Sequence, residues 1–307
     1  MFEQLGLIGC GLMGGSFALA LKKAGLVGRV VGYSKSPSTT ERALALGVID
    51  AEASSALQAV QGSDLVLLAV PVAATEATLA SIRHLVTPGM LIMDVGSTKA
   101  DVVQAARAGL GDRIGSFVPA HPITGKEVAG VEHAEAGLYT GSHVVLTPTE
   151  HTHDALLEQA RRIWQALGCQ VHGMTPEAHD ATLATVSHLP HLLAFAMMQS
   201  VLAQPDADAT LALAGPGFRD FTRIAAGNPQ IWRDILLANR EQVLAQARQF
   251  REALDQLEAL VHAGDGPGLQ EQITRASTAR AGWRMGAPRM GAPRTAAPAT
   301  SSDLQGA

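Results

Sequence analysis

The chain has 307 residues, 47% of them hydrophobic, which is enough to bury the cores of two domains. Its 23 basic and 28 acidic residues leave a formal net charge of −5, which favours neither nucleic-acid binding nor a polybasic membrane anchor. The first predicted strand starts too early for a signal peptide, and the longest apolar run, residues 65–74, is interrupted by Pro71 and too short for a bilayer. Because its two cysteines, Cys10 and Cys169, are predicted to be free thiols, we expect a cytoplasmic protein.

The first predicted strand, residues 5–8, leads into the glycine-rich turn Gly9-Cys10-Gly11-Leu12-Met13-Gly14. Glycines at this spacing allow a tight turn, a close approach of the backbone to a pyrophosphate, and close packing of the next helix. The N–H groups and the positive end of that helix can hold phosphates without a charged side chain. We therefore predict a dinucleotide site at Gly9, Gly11, Leu12, Met13 and Gly14, with a purely structural turn as the alternative.

The second predicted strand, residues 29–33, is followed by Ser34, Lys35 and Ser36. A carboxylate at this point would bind the ribose 2′-hydroxyl of NAD. Here hydroxyls and a cation stand where the 2′-phosphate of NADP would lie, so we expect Ser34 and Lys35 to contact the cofactor and to favour NADP or dual use. The alternative is that Lys35 is a solvated turn residue.

The first half of the chain, residues 1–175, alternates predicted strands and helices, as a Rossmann-type, doubly wound parallel sheet requires. Further strands are predicted at residues 65–70, 91–95, 116–120, 142–146 and 169–171. Pro71 suits the first turn of a helix, and Thr98 with Asp101 forms a predicted capping box for the next one. Because ligands gather at the carboxyl ends of parallel strands, we expect Val70, Pro71 and Ser97 beside the cofactor.

From residue 176 onward strand signals disappear, and residues 176–283 are predicted to form an all-α domain. Asn228 as cap and Pro229 in the first turn open one predicted helix of about 35 residues with an apolar stripe. A rod of this length either forms the core or pairs with a second copy of the chain, and we favour a homodimer through these helices. Residues 284–307 lack apolar periodicity and are predicted to be a disordered tail.

Several polar residues are candidates for the chemistry of a small-molecule substrate. His121 closes the predicted strand 116–120, where a histidine can accept a proton from an alcohol while a nicotinamide accepts the hydride; a structural histidine is the alternative. His188 and His191 share a helix face, but Pro190 disturbs that helix, so we predict substrate contact or interdomain packing rather than a metal. Arg223 could hold an anionic substrate, whereas Arg219 could equally form a surface salt bridge with Asp220.

Taken together, these motifs resemble the prephenate dehydrogenase family, which includes arogenate and cyclohexadienyl dehydrogenases. The resemblance covers nearly everything before the tail. Its motifs are, in family order, the glycine loop, Asp94-Val95-Gly96-Ser97-Thr98-Lys99, His121-Pro122-Ile123-Thr124-Gly125, Ser187-His188-Leu189-Pro190-His191, and Phe221-Thr222-Arg223-Ile224-Ala225 with Trp232. The chain departs from NAD-preferring members at Ser34, where they have Asp.

The resemblance implies oxidative decarboxylation of prephenate, or of arogenate, with hydride transfer to NAD or NADP in tyrosine synthesis. It also implies that His121 accepts the ring hydroxyl proton and that Ser97 hydrogen-bonds near the same hydroxyl. The substrate-binding residues that it implies are Thr124, Glu127, Ser187, His188, His191 and Arg223, the last for a substrate carboxylate.

Two other interpretations stay open at this point. The β-hydroxyacid dehydrogenases also join a glycine loop of this type to a helical domain, but they use a lysine from the helical half. Residues 127–307 contain no lysine, which removes that catalytic group. The second alternative is a non-enzymatic dinucleotide sensor that dimerises through its helices.

Overall fold

The computed structural model describes residues 1–126 and 128–284. These residues form two compact units, Met1–Arg251 and a second one from Glu252 onward. The cavities and the hydrogen-bonded residues of the candidate active site lie in the first unit. The domain boundary between residues 175 and 176 stays a prediction, since it rests on a change from strands to helices. The predicted tail, apart from Arg284, lies outside the described residues.

The first part of the chain forms a six-stranded parallel sheet in the order β3-β2-β1-β4-β5-β6. The strands are β1 (Phe2–Ile8), β2 (Val27–Tyr33), β3 (Ala51–Glu52), β4 (Leu65–Leu68), β5 (Leu91–Asp94) and β6 (Phe117–Val118). The helices between and after them are α1 (Leu12–Lys23), α2 (Pro37–Ala45), α3 (Ala56–Val60), α4 (Thr75–Ile82), α5 (Ala100–Leu110) and α6 (Asp154–Ala166). The predicted doubly wound parallel sheet is confirmed.

Two apolar cores hold this sheet between layers of helices. On one side Phe17 of α1 packs against Trp164 of α6, and Tyr139 joins them. On the other side Leu79 of α4 and Val102 of α5 lie in a second cluster. The strands are buried on both faces, which explains why residues 65–68 read as a continuous apolar run.

A second, three-stranded sheet follows, which the sequence did not predict. It contains β7 (Ala120–Ile123), β8 (His143–Leu146) and β9 (Gln170–Gly173), with β7 antiparallel to β8 and β8 parallel to β9. The predicted single strand 116–120 is wrong, because the chain leaves the first sheet after Val118 and enters the second at Ala120. Pro119, which has no N–H group for a sheet ladder, lies at the change. His121 therefore lies within β7 rather than at the end of a strand.

The remaining elements are helical, as predicted. They are α7 (Pro176–Leu183), α8 (Leu189–Leu202), α9 (Ala207–Ala212), α10 (Pro216–Thr222), α11 (Pro229–Ala238), α12 (Arg240–Ala263) and α13 (Gly266–Gly282). A π-helical turn, Ala184–His188, joins α7 to α8. Pro190 lacks the N–H that would bond the carbonyl of Val186 in a regular helix, which accounts for the wider turn beside the predicted pocket histidines.

The predicted helix of about 35 residues is wrong in one respect. Asn228 caps α11 as expected, since its Oδ1 accepts from the N–H groups of Gln230 and Ile231. However, the helix stops at Ala238, and α12 starts at Arg240. Asn239 lies between them with its side chain buried and bonded to the neighbouring helical segments, so a tertiary contact interrupts the rod.

The continuous helical segment Pro176–Leu202 has the length and apolar composition of a membrane-crossing helix. The apolar composition of this segment is better explained by its packing inside the protein. His179, Asp180 and His188 all lie inside the protein and make hydrogen bonds to residues of other elements. A core helix of a folded protein passes the same test of length and composition.

Candidate active site

The predicted cofactor residues lie at one edge of the parallel sheet. The glycine turn follows β1, Ser34 and Lys35 follow β2, Val70 and Pro71 follow β4, and Ser97 follows β5. In the observed strand order, β1 lies between β2 and β4, so the order reverses at β1. The edge beside such a switch point is where parallel sheets of this kind bind ligands.

The glycine turn fits a dinucleotide pyrophosphate. Gly9 has a φ of +101°, and a Cβ there would lie 2.2 Å from the carbonyl oxygen of Ala69. Gly11, in contrast, has open space around its Cα and is the N-cap of α1. Among the described residues no side chain caps α1, so its first N–H groups face this space. The turn thus has the open backbone and the helix end that a bound phosphate requires.

The adenosine end of such a cofactor would meet a second feature, a cavity of about 570 Å³ beside β2 and β3. Ser34 and Lys35 line it, as does the carboxylate-bearing Glu52. The hydroxyl of Ser34 also accepts a hydrogen bond of 2.9 Å from the backbone N–H of Cys10. Ser34 therefore connects the glycine turn to the cavity, where a cation and an anion are both present.

A cavity of about 630 Å³ brings most of the predicted substrate residues together. The predicted residues on its wall are Ser97, His121, Thr124, Ser187, His188, His191 and Arg223. Their individual roles stay predictions. Glu127 lies outside the described residues.

His121 is buried and belongs to a chain of three hydrogen-bonded side chains. Its Nδ1 lies 2.7 Å from Nε2 of His179, and Nδ1 of His179 lies 2.7 Å from Oδ1 of Asp180. Burial lowers the pKa of His121 well below 6.5, and the neighbouring His179 and Lys99 act in the same direction. His121 is therefore neutral at pH 7, the state in which a histidine accepts a proton.

Asp180 also corrects the predicted capping box. The N-cap of α5 is Lys99, and the two carboxylate oxygens of Asp180 accept from the backbone N–H groups of Lys99 and Ala100, at 2.8 and 2.9 Å. Thr98 is not the cap, so the Thr98–Asp101 prediction is wrong. Burial raises the pKa of Asp180, but the bonds from His179 and the two amides outweigh it and leave this pKa below its usual value.

A buried ion pair, Lys99 with Asp94, lies next to the strand that contains His121. Lys99 is fully buried, and its Nζ donates to Oδ2 of Asp94 and to the carbonyl oxygen of Ala120. Asp94 also accepts from the N–H groups of Gly96 and Ala120. These bonds join the loop that contains Ser97 to the strand that contains His121, and both of these predicted catalytic residues line the same cavity.

His188 has the opposite hydrogen-bonding role from His121. The Nδ2 amide of Asn239 donates to the backbone oxygen of Asp180 at 2.7 Å and to Nδ1 of His188 at 3.0 Å. Nδ1 of His188 is then the acceptor, which leaves the proton on Nε2. That Nε2 is buried and has no hydrogen-bond partner among the described residues. Burial lowers the pKa of His188 to about 4, although Asp180 opposes the shift, so it stays a neutral donor at the cavity wall.

The outer part of the cavity combines an aromatic stack with a cation. His191 stacks on Trp232 with ring centroids 3.4 Å apart, and Arg223 lies at the start of a 3-10 turn, Arg223–Ala226. Arg219 instead pairs with Asp220 on the surface, as the alternative interpretation expected. Asp220 is therefore the ion-pair partner of Arg219. In the part of the chain that the structure describes, no group of three or more acidic, histidine or cysteine side chains could hold a metal ion.

Some residues of this site were missed in the sequence. The sequence motifs do not single out His179, Asp180 or Asn239. No local pattern marks them, because each acts through a partner at least 50 positions away in the chain. The sequence offers one weak indication that they are buried and functional, namely that His179 and Asp180 are polar residues inside an otherwise apolar helical segment.

The chain is similar to known proteins along most of its length. Residues 17–172 match the family profile described as "Prephenate dehydrogenase, nucleotide-binding domain", and residues 175–275 match "Prephenate dehydrogenase, dimerization domain". Over 284 residues the chain is 34% identical to the prephenate dehydrogenase of Bacillus subtilis, covering 92% of this chain and 76% of that protein.

Solved structures show the same similarity. A crystal structure of prephenate dehydrogenase from A. aeolicus, in complex with hydroxyphenyl propionate and NAD+, matches with a TM-score of 0.85 at 35% identity, covering 92% of this chain and 98% of that one. Synechocystis arogenate dehydrogenase matches with a TM-score of 0.78 at 28% identity, covering 91% and 99%. The resemblance found in the motifs is confirmed, and the chain belongs to the prephenate dehydrogenase family.

Proposed function

We propose that this protein oxidatively decarboxylates prephenate to 4-hydroxyphenylpyruvate, with NADP+ or NAD+ as the hydride acceptor, in the synthesis of tyrosine. The observation that carries the proposal is that a neutral, buried His121 shares one cavity with Ser97 and Arg223. A base, a hydroxyl and an anion-binding cation are the groups that this reaction needs. Arogenate, which has an amine in place of the side-chain keto group, is the second candidate substrate, and one relative bears its name.

The reaction consists of proton and hydride transfer followed by decarboxylation, and each residue has a role in one of these steps. His121 accepts the proton of the ring hydroxyl as the hydride leaves the same carbon, and Ser97 hydrogen-bonds near that oxygen. The bound nicotinamide supplies the hydride acceptor. The ring carboxylate then leaves as CO2, its bonding electrons complete the aromatic ring, and the resulting phenolate takes the proton back. Aromatisation supplies most of the driving force, so the residues mainly align the groups and compensate charge.

Charge and hydrogen-bond donors in the cavity suit an anionic substrate. Arg223 offers a guanidinium to a carboxylate, and Lys126 adds a second cation on the same wall. His188 lies on the cavity wall, and its Nε2–H has no hydrogen-bond partner among the described residues, so we assign it a contact with a substrate oxygen. We assign the remaining contacts with the substrate to Thr124, Ser187 and His191.

For the cofactor, we propose use of NADP or of both dinucleotides. Ser34 and Lys35 line the cavity beside β2 and could bind a 2′-phosphate, while Glu52 on the same wall could accept from a 2′-hydroxyl. Substituting Ser34→Asp would add a carboxylate at the end of β2. We expect this variant to shift the ratio of kcat/KM values towards NAD, and an unchanged ratio would remove Ser34 from the specificity assignment.

We also propose a homodimer that forms through the helical domain. Phe250, Leu254, Leu257 and Val261 form an apolar stripe on α12, and each is more than a third exposed in the single chain. A continuous apolar stripe on a long helix is typical of a subunit interface. Sedimentation equilibrium of the whole protein tests this, since a monomer at micromolar concentration would contradict it. A cytoplasmic location stays a prediction.

The central experiment follows the absorbance of the reduced nicotinamide with two substrates and two cofactors. We expect turnover of prephenate and a faster rate with NADP+ or comparable rates with both. The variant His121→Asn should lose roughly 100- to 10,000-fold in kcat, while its dinucleotide affinity stays unchanged. Absence of turnover in all four combinations would overturn the proposed function, and full activity of the variant would remove His121 as the base.

A further inference from the structure

We propose that His179 and Asp180 are positioning residues that set the tautomer of His121, so that its Nε2 is the proton acceptor. The inference rests on the proposed function for its meaning in catalysis. The hydrogen bonds that carry it lie behind the cavity: His179 and Asp180 are not on its wall. Neither residue touches the space where a substrate would bind, so both act through His121.

The argument starts at the carboxylate, whose role is fixed by the backbone. Backbone N–H groups can only donate, and those of Lys99 and Ala100 point at Oδ1 and Oδ2 of Asp180. Asp180 is therefore an ionised acceptor on both oxygens. Nδ1 of His179, 2.7 Å from Oδ1, must carry a proton to make its hydrogen bond.

The second step moves from His179 to His121. His179 is fully buried, and the tautomer with its proton on Nδ1 has a lone pair on Nε2. That nitrogen lies 2.7 Å from Nδ1 of His121, so Nδ1 of His121 must donate. Only Nε2 of His121 is then left with a lone pair. A buried carboxylate thus determines, through one intervening ring, which nitrogen of the base can take a proton.

The titratable groups around His121 come from four parts of the chain. Asp94, at the end of β5, and Lys99, in the loop after β5, form their ion pair beside the strand that contains His121. Asp180 and His179 approach from α7, and His188 from the π-helical turn. When His121 accepts a proton, Asp180 provides the negative charge that faces it through His179, in the manner of a carboxylate behind a catalytic histidine.

The direct test is 15N NMR of the histidine side chains in the whole protein without substrate, at neutral pH. The ring nitrogens with and without a proton differ in chemical shift, and His121→Asn and His179→Asn assign the signals. We expect Nδ1 protonated and Nε2 unprotonated in both rings. A proton on Nε2 of either His121 or His179 would overturn the inference, and this measurement needs no variant of Asp180 to fold.

A kinetic test uses Asp180→Asn, which keeps the size of the side chain. The NH2 group of the amide replaces one acceptor oxygen, and where it faces His179 it donates to that ring, reverses its tautomer and places the proton of His121 on Nε2. In either orientation it also meets the backbone N–H group of Lys99 or Ala100, which can only donate. We expect kcat to fall about 100-fold or more, as in other histidine–carboxylate pairs, with KM and dinucleotide affinity within about twofold of wild type. The loss of kcat should persist at every pH at which His121 is neutral. The variant has the same number of protons on the ring of His121, but the proton is on the wrong nitrogen. A rate that recovers fully as pH rises would overturn the inference.

A matched control exists in the same protein. His143 and His172 form a second histidine pair of 2.7 Å, on β8 and β9, outside the large cavity. His172→Asn should leave kcat unchanged, whereas His179→Asn should lower it at least about tenfold. Equal rates for the two variants would overturn the inference. If the wild type itself turns over neither substrate, the proposed function fails, and the NMR measurement still decides the tautomer of His121.

Discussion

Asn239, the residue between α11 and α12, donates a hydrogen bond from Nδ2 to Nδ1 of His188 in the π-helical turn. The same amide donates to the backbone oxygen of Asp180. One side chain thus interrupts a helix, holds the segment that contains the positioning pair, and leaves the proton of His188 on Nε2. The buried Asn239 therefore connects the packing of the helices to His188, a residue of the cavity wall.

The first prediction concerns Asn239→Asp. A carboxylate cannot donate to the carbonyl of Asp180, and it would draw the proton of His188 to Nδ1. We expect a loss of about 1–3 kcal/mol in the free energy of unfolding, and a KM for substrate raised at least about tenfold. Urea unfolding and steady-state kinetics measure the two effects. Asn228→Asp is the control for stability, because Asp caps a helix as well as Asn does. Wild-type KM in the Asn239 variant would contradict the prediction.

A second prediction concerns the pH dependence of stability. The pKa of His188 is about 4 in the folded protein and 6.5 in the unfolded chain. Below pH 6.5 the unfolded chain therefore takes up a proton that the folded protein refuses, so stability is complete above 6.5 and falls as the pH drops towards 4. His188 alone contributes about 3 kcal/mol to this loss. Urea unfolding between pH 7 and pH 4.5 should show a shallower decline for His188→Asn, and parallel curves would rule this origin out.

A third prediction separates two glycines of the same turn. Gly9→Ala places a Cβ against the carbonyl of Ala69 at a positive φ, so it should destabilise the fold by at least about 2 kcal/mol. Gly11→Ala meets nothing within 4 Å and has no such φ. It should keep the stability of the wild type but weaken dinucleotide binding at least about tenfold, or 1.4 kcal/mol, because its methyl group enters the phosphate space. Unfolding curves and fluorescence titration with NADPH check both; tight binding by Gly11→Ala would refute the placement of the pyrophosphate.

A fourth prediction compares two lysines. Lys99→Met leaves the buried carboxylate of Asp94 without its cation, which should cost about 3–5 kcal/mol. Lys22 pairs with Asp50 at the surface, so Lys22→Met is the control. Loss of this exposed ion pair should cost about 1 kcal/mol or less in the free energy of unfolding. Thermal or urea unfolding measures both. Similar values for the two variants would show that the buried pair does not hold the loop and the strand together.

Much of this protein was predictable from local patterns. The order of strand, glycine turn, helix and strand, the apolar runs at β4 and β5, and the cap at Asn228 depend on residues a few positions apart. Each of these patterns has a local physical cause, which is the period of the apolar side chains, the conformational freedom of glycine, or the unpaired N–H groups at a helix end. The pocket motifs were recognisable for the same reason, because each lies at the end or the bend of a predicted element.

The errors share an opposite cause. The strand 116–120 divides between two sheets, the cap of α5 comes from Asp180, 81 positions after Lys99, and Asn239 interrupts the long helix by bonding to other helical segments. The tautomers inferred for His121 and His188 likewise follow from partners in distant parts of the chain. Sequence by itself determined the elements, the cofactor turn and the residue types of the pocket. Tertiary structure alone decided which buried donor meets which acceptor, because hydrogen bonds between distant segments form only once those segments have packed.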